Sequence, residues 1–476
     1  MLLLKPQVAR PSAASVERAK IELSQRLGLS KLFDRAEACA AYAVDQSEAQ
    51  GELPDAVVLA ETKSDILTTL EVARLCGVPV TPRAGGTGRT GGAVPVAGGI
   101  VLAINRMSQI IEIDRKEGLA VVQPGLVLGD LHRAVEAEGL FYPPDPNSLS
   151  GCCIAGNVAE NAGGPRAFKY GVTRDYVLGL EAFLIGGQRL ECGRRTRKGV
   201  TGYDVVGLLV GSEGTLGVFG DVTLRLVPKP SHVMTLLVLF RELAQASSLV
   251  ALAVAAGLVP RCIELLDAGT LGAMRKSGNA INPEAAAMLL IDVDGDERQC
   301  ELQAERLAGL CEDVGVLELL VAQDAAQRDR LWSARREMSL AVRRMAKHKL
   351  SEDVVVPRQS IGELLARVRR TSERTGVRTV TYGHAGDGNL HVNFLWDEPD
   401  ELPQVDQSIQ ELFQGVIELR GTLSGEHGIG VLKAPYLALE QSAELIQVQR
   451  DLKAVFDPAQ LLNPGKIFPT QGHGSC

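Results

Sequence analysis

A chain of 476 residues is too long to fill one ordinary hydrophobic core, so two or three domains are expected. Its 45% hydrophobic content is that of a folded globular protein, and a net charge of −8 argues against a nucleic-acid partner. Nine cysteines without any C-x-x-C spacing point to neither an iron–sulfur cluster nor a disulfide framework. The opening "MLLLKPQVAR" is too short an apolar run for a signal peptide, and "SSLVALAVAAGLVP" is too short to span a bilayer. A cytoplasmic protein without a transmembrane segment is the expectation.

In chain order, residues 11–50 read as helical. From 55 to 228 short apolar runs ("AVVLA", "GIVLAINRM", "LAVVQPG") alternate with glycine clusters, and "SDILTTLEVARLCG" and "VLGDLHRAVEAEG" read as helices. Within this stretch "PRAGGTGRTGG" contains Gly86, Gly88 and Gly91 in the pattern G-x-G-x-x-G. A nicotinamide-binding fingerprint needs a helix beginning among those glycines. Pro95, Gly98 and Gly99 forbid one, and the next element reads as a strand. A nest of backbone N–H groups for an anion remains open, as does a plain turn. Two further glycine clusters, at 143–171 and 201–217, make repeated close approach to one large phosphate-bearing ligand the better explanation of all three.

Prolines 228 and 230 mark a boundary. Beyond it "VMTLLVLF", "ELAQASSLVALAVAAG", "RCIELLD", "AAMLLIDVDG", "ERQCELQAERLAGLCEDVG" and "VLELLVAQ" read β-α-β-β-α-β, the split pattern of a ferredoxin-like unit. The basic helix "QRDRLWSARREMSLAVRRMAKHK" reads as a solvated face. In "RTVTYGHAGDGNLHVN", His384 ends one strand and His391 and Asn393 share a face of the next, with Asp387 in the turn. Two imidazoles brought together by a tight turn, with Glu426 of "SGEHG" as third donor, make a candidate site for zinc or a neighbouring transition metal. The competing reading is a set of structural histidines in turns.

Taken together, "PRAGGTGRTGGAVP", "GNVAENAGGPRAFKYGVTRDYVLGLE", "GSEGTLG", "YGHAGDGNLHVN" and "SGEHGIG" resemble, in order, the vanillyl-alcohol oxidase flavoprotein superfamily. The likeness is to its FAD-linked D-2-hydroxy-acid dehydrogenase branch and runs from "PDAVVLAET" to "FDPAQLLNPGKIF". It implies an α+β fold: a two-part FAD-binding domain (1–228, helical at first and FAD-binding from about 50, completed by 421–476) with a ferredoxin-like substrate domain at 229–420. Around the FAD diphosphate it places Arg83, Ala84, Gly85, Gly86, Thr87, Gly88, Thr90, Gly91 and Gly92, with Gly211, Glu213, Gly214 and Gly217. Along the flavin it places Pro144, Asp145, Ser148, Gly151, Gly156, Asn157, Asn161, Gly163 and Gly164, while Asn463 returns the C-terminus to this domain. Ala84 stands where the family usually has glycine, and Thr87 where covalent members carry histidine, so FAD is expected to be non-covalent.

The same resemblance makes His384, His391 and Glu426 ligands of a divalent zinc or manganese, and His427 the catalytic base. Arg335 and Asn393 would hold the substrate; the family's lysine for a distal carboxylate has no clean counterpart, because "AKHKLSEDVVVP" differs in length, and Lys349 is taken in its place. The resemblance implies a small D-2-hydroxy acid as substrate, D-lactate first, glycolate second and D-2-hydroxyglutarate third, since "NAGGPRAFKYGVTRDYVLGLE" and "SEDVVVP" look more like the lactate and glycolate members. A base takes the hydroxyl proton, the metal stabilises the alkoxide, and an arginine fork grips the carboxylate. Electrons would leave for a quinone, a cytochrome, an electron-transfer flavoprotein or partner subunits, which would also make any membrane association peripheral. A flavin-binding subunit without catalysis would be expected to have lost the His-Glu constellation, and a redox-inactive metal module leaves the glycine loops unexplained.

Overall fold

The computed structural model describes residues 8–469; the initial "MLLL" run lies outside the described residues. The chain forms two compact units, one of Met1–Ala162, Val172–Lys229 and Glu426–Cys476, the other of Gly163–Gly171 and Pro230–Gly425. The fold is α+β, with helices packed on separate sheets.

In the first unit β1 (Leu32–Phe33), β2 (Ala56–Leu59), β3 (Val80–Arg83) and β4 (Ile100–Ala103) form a sheet in the order β1-β2-β4-β3. The helix Lys63–Cys76 connects β2 to β3, opened by a reciprocal Thr62–Asp65 capping box and closed by Gly77 at φ 64°. No helix connects β3 to its parallel neighbour β4. The crossover is the glycine loop itself, bent through Gly98 and Gly99 at φ 67° and 72°, where a Cβ on Gly99 would strike the Pro79 carbonyl. The Rossmann reading therefore fails on structure as it did on sequence.

A second sheet contains β5 (Ile110–Asp114), β6 (Leu119–Val122), β8 (Val177–Phe183), β9 (Arg189–Gly193) and β10 (Val218–Arg225), ordered β5-β6-β10-β8-β9. A short pair joins β7 (Leu140–Phe141) to β11 (Val227–Pro228). The helical reading of 11–50 holds for Ala13–Leu27 and for the short turns between Ala36 and Tyr42, but Leu32–Phe33 is extended and pairs with β2. Two short helices, Ile154–Glu160 and Val205–Leu209, lie inside stretches that glycine content marks as loops.

The second unit is built on one seven-stranded sheet. Its strands are β12 (His232–Phe240), β13 (Cys262–Asp267), β14 (Ala287–Gly295), β15 (Glu318–Val321), β16 (His348–Val355), β17 (Arg378–His384) and β18 (Asn389–Trp396). The order β15-β12-β14-β13 is the antiparallel ferredoxin-like arrangement, and β17, β18 and β16 extend the same sheet from β13. The basic helix Ala325–Arg343 buries Arg335, Met338 and Val342, one stripe at helical spacing, on a core containing Leu266, Val380 and Tyr382. Its charges are therefore not all on a solvated face: Arg335 is turned inward.

Candidate active site

Within the first unit the three glycine loops interlock. A Cβ on Gly85 would collide with the Gly151 carbonyl, one on Gly151 would touch Thr87 Cγ2 at 3.5 Å, and one on Gly156 would meet Ala84 Cβ at 3.4 Å. The alanine at position 84 thus fits because residue 156 has no side chain. Asn463 staples the loops: its Nδ2 donates to Gly92 O (3.0 Å) and Glu213 O (2.8 Å), and its backbone N–H to Val80 O (2.7 Å). Asn161 ends its helix at φ 54° and accepts the Arg174 N–H at 2.8 Å. Pro144 O faces His132 Nε2 at 3.0 Å, and Ser148 O accepts the Gly151 N–H at 2.8 Å.

Two of the expected FAD contacts are occupied by the protein. Arg83 donates to Val44 O at 2.7 Å and stacks over Tyr42, tying down the preceding segment. The Glu213 carboxylate accepts the Ile429 and Gly430 N–H groups at 2.8 and 2.6 Å. Gly163 and Gly164, expected along the flavin, cluster with the second unit. Elsewhere the loops suit a large phosphate-bearing cofactor: Asn157 Nδ2 is buried without a hydrogen-bond partner, and Gly86, Gly91, Gly211 and Gly214 take positive φ values that favour glycine. Burial, with Glu213 and Asp45 nearby, pushes the Glu160 carboxyl well above its usual range.

Glu426 and His427 begin the last segment of this unit, Glu426 Oε1 lying 3.9 Å from His427 Nε2. Thr90, at the end of the first glycine loop, donates its hydroxyl to His427 O at 2.9 Å.

In the second unit strand register assembles a polar face. Glu264 on β13 is opposite His384, Tyr382 is opposite His391, and Asp353 on β16 is opposite His391 on its other side. Residues directly opposite one another share a face. His384 and His391 meet edge-on with ring centroids 5.2 Å apart. Glu264 Oε1 lies 2.6 Å from His384 Nδ1, the second-sphere contact that leaves Nε2 of such a histidine for a metal. The other oxygen of Glu264 is 2.5 Å from Arg335 NH2, an ion-pair contact without hydrogen-bond alignment, and both side chains are buried. Burial alone would raise the Glu264 carboxyl, but His384 and Arg335 outweigh it and hold the group down to about 2.

Arg335 Nε is buried with no hydrogen-bond partner, a donor suited to a bound carboxylate. Lys349 is buried too, its Nζ 3.1 Å from Ser339 Oγ and 3.3 Å from Tyr382 Oη. Burial would raise the Tyr382 phenol; Lys349, Ser339 and Arg335 bring it below its ordinary value. Asn393 spends both amide hydrogens on Val380 O (3.1 Å) and His391 O (2.9 Å), so it braces β17 and β18. Asp353 accepts from Asn389 Nδ2 (2.5 Å), Ser424 Oγ (3.2 Å) and the N–H of Gly425 (2.9 Å), the residue immediately before Glu426. Asp387 caps its own turn, receiving the Asn389 N–H at 3.2 Å.

Sequence reasoning missed Glu264, Asp353 and Tyr382. The signal for Glu264 was a lone carboxylate inside the apolar run "RCIELLD".

Comparison with known proteins agrees with this architecture. Residues 54–193 match the FAD binding domain family and residues 229–467 the C-terminal domain of FAD linked oxidases. The chain is 40% identical to glycolate oxidase subunit GlcD of Bacillus subtilis over 90% of its length and 92% of that protein's. It is 33% identical to D-lactate dehydrogenase of Anaerostipes hadrus (87% and 89%) and 35% identical to D-2-hydroxyglutarate dehydrogenase of Xanthomonas citri (88% and 90%). At the level of fold it matches p-cresol methylhydroxylase with a TM-score of 0.83 at 16% identity, over 98% of this chain and 100% of the other. The chain belongs to the FAD-linked oxidases of the vanillyl-alcohol oxidase superfamily, in the branch that contains the D-2-hydroxy-acid enzymes.

Proposed function

We propose that this FAD-linked oxidoreductase is a dehydrogenase that oxidises a small D-2-hydroxy acid to the 2-keto acid, D-lactate and glycolate ahead of D-2-hydroxyglutarate. One observation carries the reading: on a single sheet face Glu264 orients His384 beside His391 and, through its other oxygen, contacts buried Arg335. The names of the relatives support the same substrate class.

His384, His391 and Glu426 would hold a divalent zinc or manganese ion, for which two imidazoles and a carboxylate are a suitable donor set. Such an ion makes a bound hydroxyl easier to deprotonate. FAD, bound non-covalently given Thr87, supplies the hydride acceptor when present. Arg335 binds the substrate carboxylate, with Lys349 adding positive charge to the same face. His427 takes the hydroxyl proton, the part of a general base. Electrons then leave for an acceptor outside the chain: a quinone, a cytochrome, an electron-transfer flavoprotein or partner subunits. None of the described helices is long and apolar enough to cross a membrane. A cytoplasmic enzyme touching the membrane only through its acceptor is the arrangement we favour.

Anaerobic mixing with D-lactate, L-lactate, glycolate and D-2-hydroxyglutarate, following flavin bleaching, tests the substrate. D-lactate or glycolate should bleach fastest; faster bleaching by L-lactate overturns the stereochemistry. Chelation should abolish bleaching while the flavin stays bound, and Zn²⁺ or Mn²⁺ should restore it. Full activity in metal-free protein rejects the metal.

A further inference from the structure

The segment that carries His427 is gripped from two sides within the first unit. Thr90 donates its hydroxyl to the His427 carbonyl at 2.9 Å, and the Thr90 carbonyl accepts the Val431 N–H at 2.8 Å. Glu213 spans the same stretch, its two carboxylate oxygens accepting the N–H groups of Ile429 and Gly430. Glu213 is held in turn: it is 5% exposed, sits at φ 51°, donates its N–H to Ala159 O at 2.8 Å and offers its carbonyl to Asn463. A non-glycine residue kept in the left-handed region is over-determined by its surroundings. Gly428 sits between these grips at φ 76°, where any side chain would run into Glu160.

We infer that Glu213 and Thr90 are positioning residues for His427: their side chains are committed to the backbone of residues 427–430 rather than to the FAD diphosphate, and they fix where the imidazole stands. A carboxylate facing a diphosphate would be repelled by it, whereas one bridging two successive N–H groups is a charge-assisted clamp. Because Thr90 lies in the loop expected to cradle FAD, the clamp sets the base in register with the cofactor loop. The inference rests on His427 being the base, so the experiment includes that residue alone.

Thr90→Val removes the hydroxyl at nearly constant volume, Thr90→Ser keeps it, and Glu213→Gln weakens the double acceptor. Flavin content is read by absorbance, and anaerobic flavin reduction is followed with D-lactate and with glycolate. Thr90→Val and Glu213→Gln should slow reduction at saturating substrate by about 10- to 100-fold, the scale of a ~1 Å misplacement. Flavin content and KM should stay near those of the parent enzyme, and Thr90→Ser should recover most of the rate. The double variant Thr90→Val/His427→Ala should be no slower than His427→Ala, because a misplaced base that is already gone costs nothing more. Parent-like reduction in Thr90→Val, lost flavin with a normal rate in the loaded fraction, or a Thr90→Val penalty that persists without His427 each overturns the positioning role. If Glu213→Gln does not fold, the Thr90 series alone decides. Normal reduction in the single His427→Ala variant removes the base assignment, and the clamp's purpose with it.

Discussion

In the first unit the groups around the proposed cofactor loops are held through the backbone, whereas in the second unit the Glu264–His384–Arg335 cluster is held side chain to side chain. Asn463, Glu213, Thr90 and Arg83 all bond to main-chain N–H or carbonyl groups. Glu264, His384 and Arg335, by contrast, face one another from strands and a helix distant in sequence. Backbone clamps tolerate changes in neighbouring side chains, because what they grip is the same in every residue. A buried network of charged side chains tolerates little, since removing one member strands the others in a low-dielectric setting.

The largest expected effect is therefore in the second unit. Glu264→Gln strands Arg335, 2% exposed, and takes the carboxylate from His384. Loss of one partner of a buried pair should cost about 3–5 kcal/mol in urea unfolding. Removal of the histidine's second-sphere partner should weaken zinc binding, measured by calorimetry, by about 10- to 100-fold. A variant within ~1 kcal/mol of the parent would place the network on the tolerant side of the comparison.

A smaller effect is expected at the backbone staple. Asn463→Gly keeps the φ of 44° accessible but removes the two donors to Gly92 O and Glu213 O. Unsatisfied buried carbonyls should cost about 1–3 kcal/mol. A loss as large as that of Glu264→Gln would erase the distinction between the two units.

The smallest effect is a pH slope. Lys466 donates to Val94 O at 2.6 Å, and burial, only partly offset by Asp45 and Glu213, pushes its ammonium down to about 7. Below pH 7 both folded and unfolded chains hold this proton; between about 7 and the ordinary lysine value only the unfolded chain does. Stability should therefore rise with pH in that window, by about 1 kcal/mol from pH 7 to 8, relative to a Lys466→Met variant. Parallel pH profiles for the two proteins would show that Lys466 keeps its proton throughout.

The contrast also explains what the sequence discloses. Glycine loops announce themselves, because Gly86, Gly91, Gly98 and Gly99 mark positive φ or close backbone approach locally. The strands ending at His384 and beginning at Asn389 follow from alternation and a turn. Glu264 is opposite His384 only through strand pairing 120 residues apart, and no local pattern encodes that register. The ferredoxin-like order is legible from 233 to 322, yet nothing local says that β16, β17 and β18 join the same sheet. The Val205–Leu209 helix is hidden by Gly207, whose N–H is received by the Asp204 cap at 2.8 Å.

The path of the chain has a consequence for recombination. Residues 163–171 are contributed to the second unit from between stretches of the first, and two of them, half-buried, bond to its buried Asp294. Lys169 forms an ion pair with Asp294, and Tyr170 donates its hydroxyl to the other oxygen at 2.7 Å, while the Asp294 side chain is fully buried. Residues 230–425 of a relative grafted into this chain would meet the resident loop in place of their own. Transfer of the second unit as a working piece therefore means moving two separate segments, the short loop together with residues 230–425, because Lys169 and Tyr170 hold Asp294.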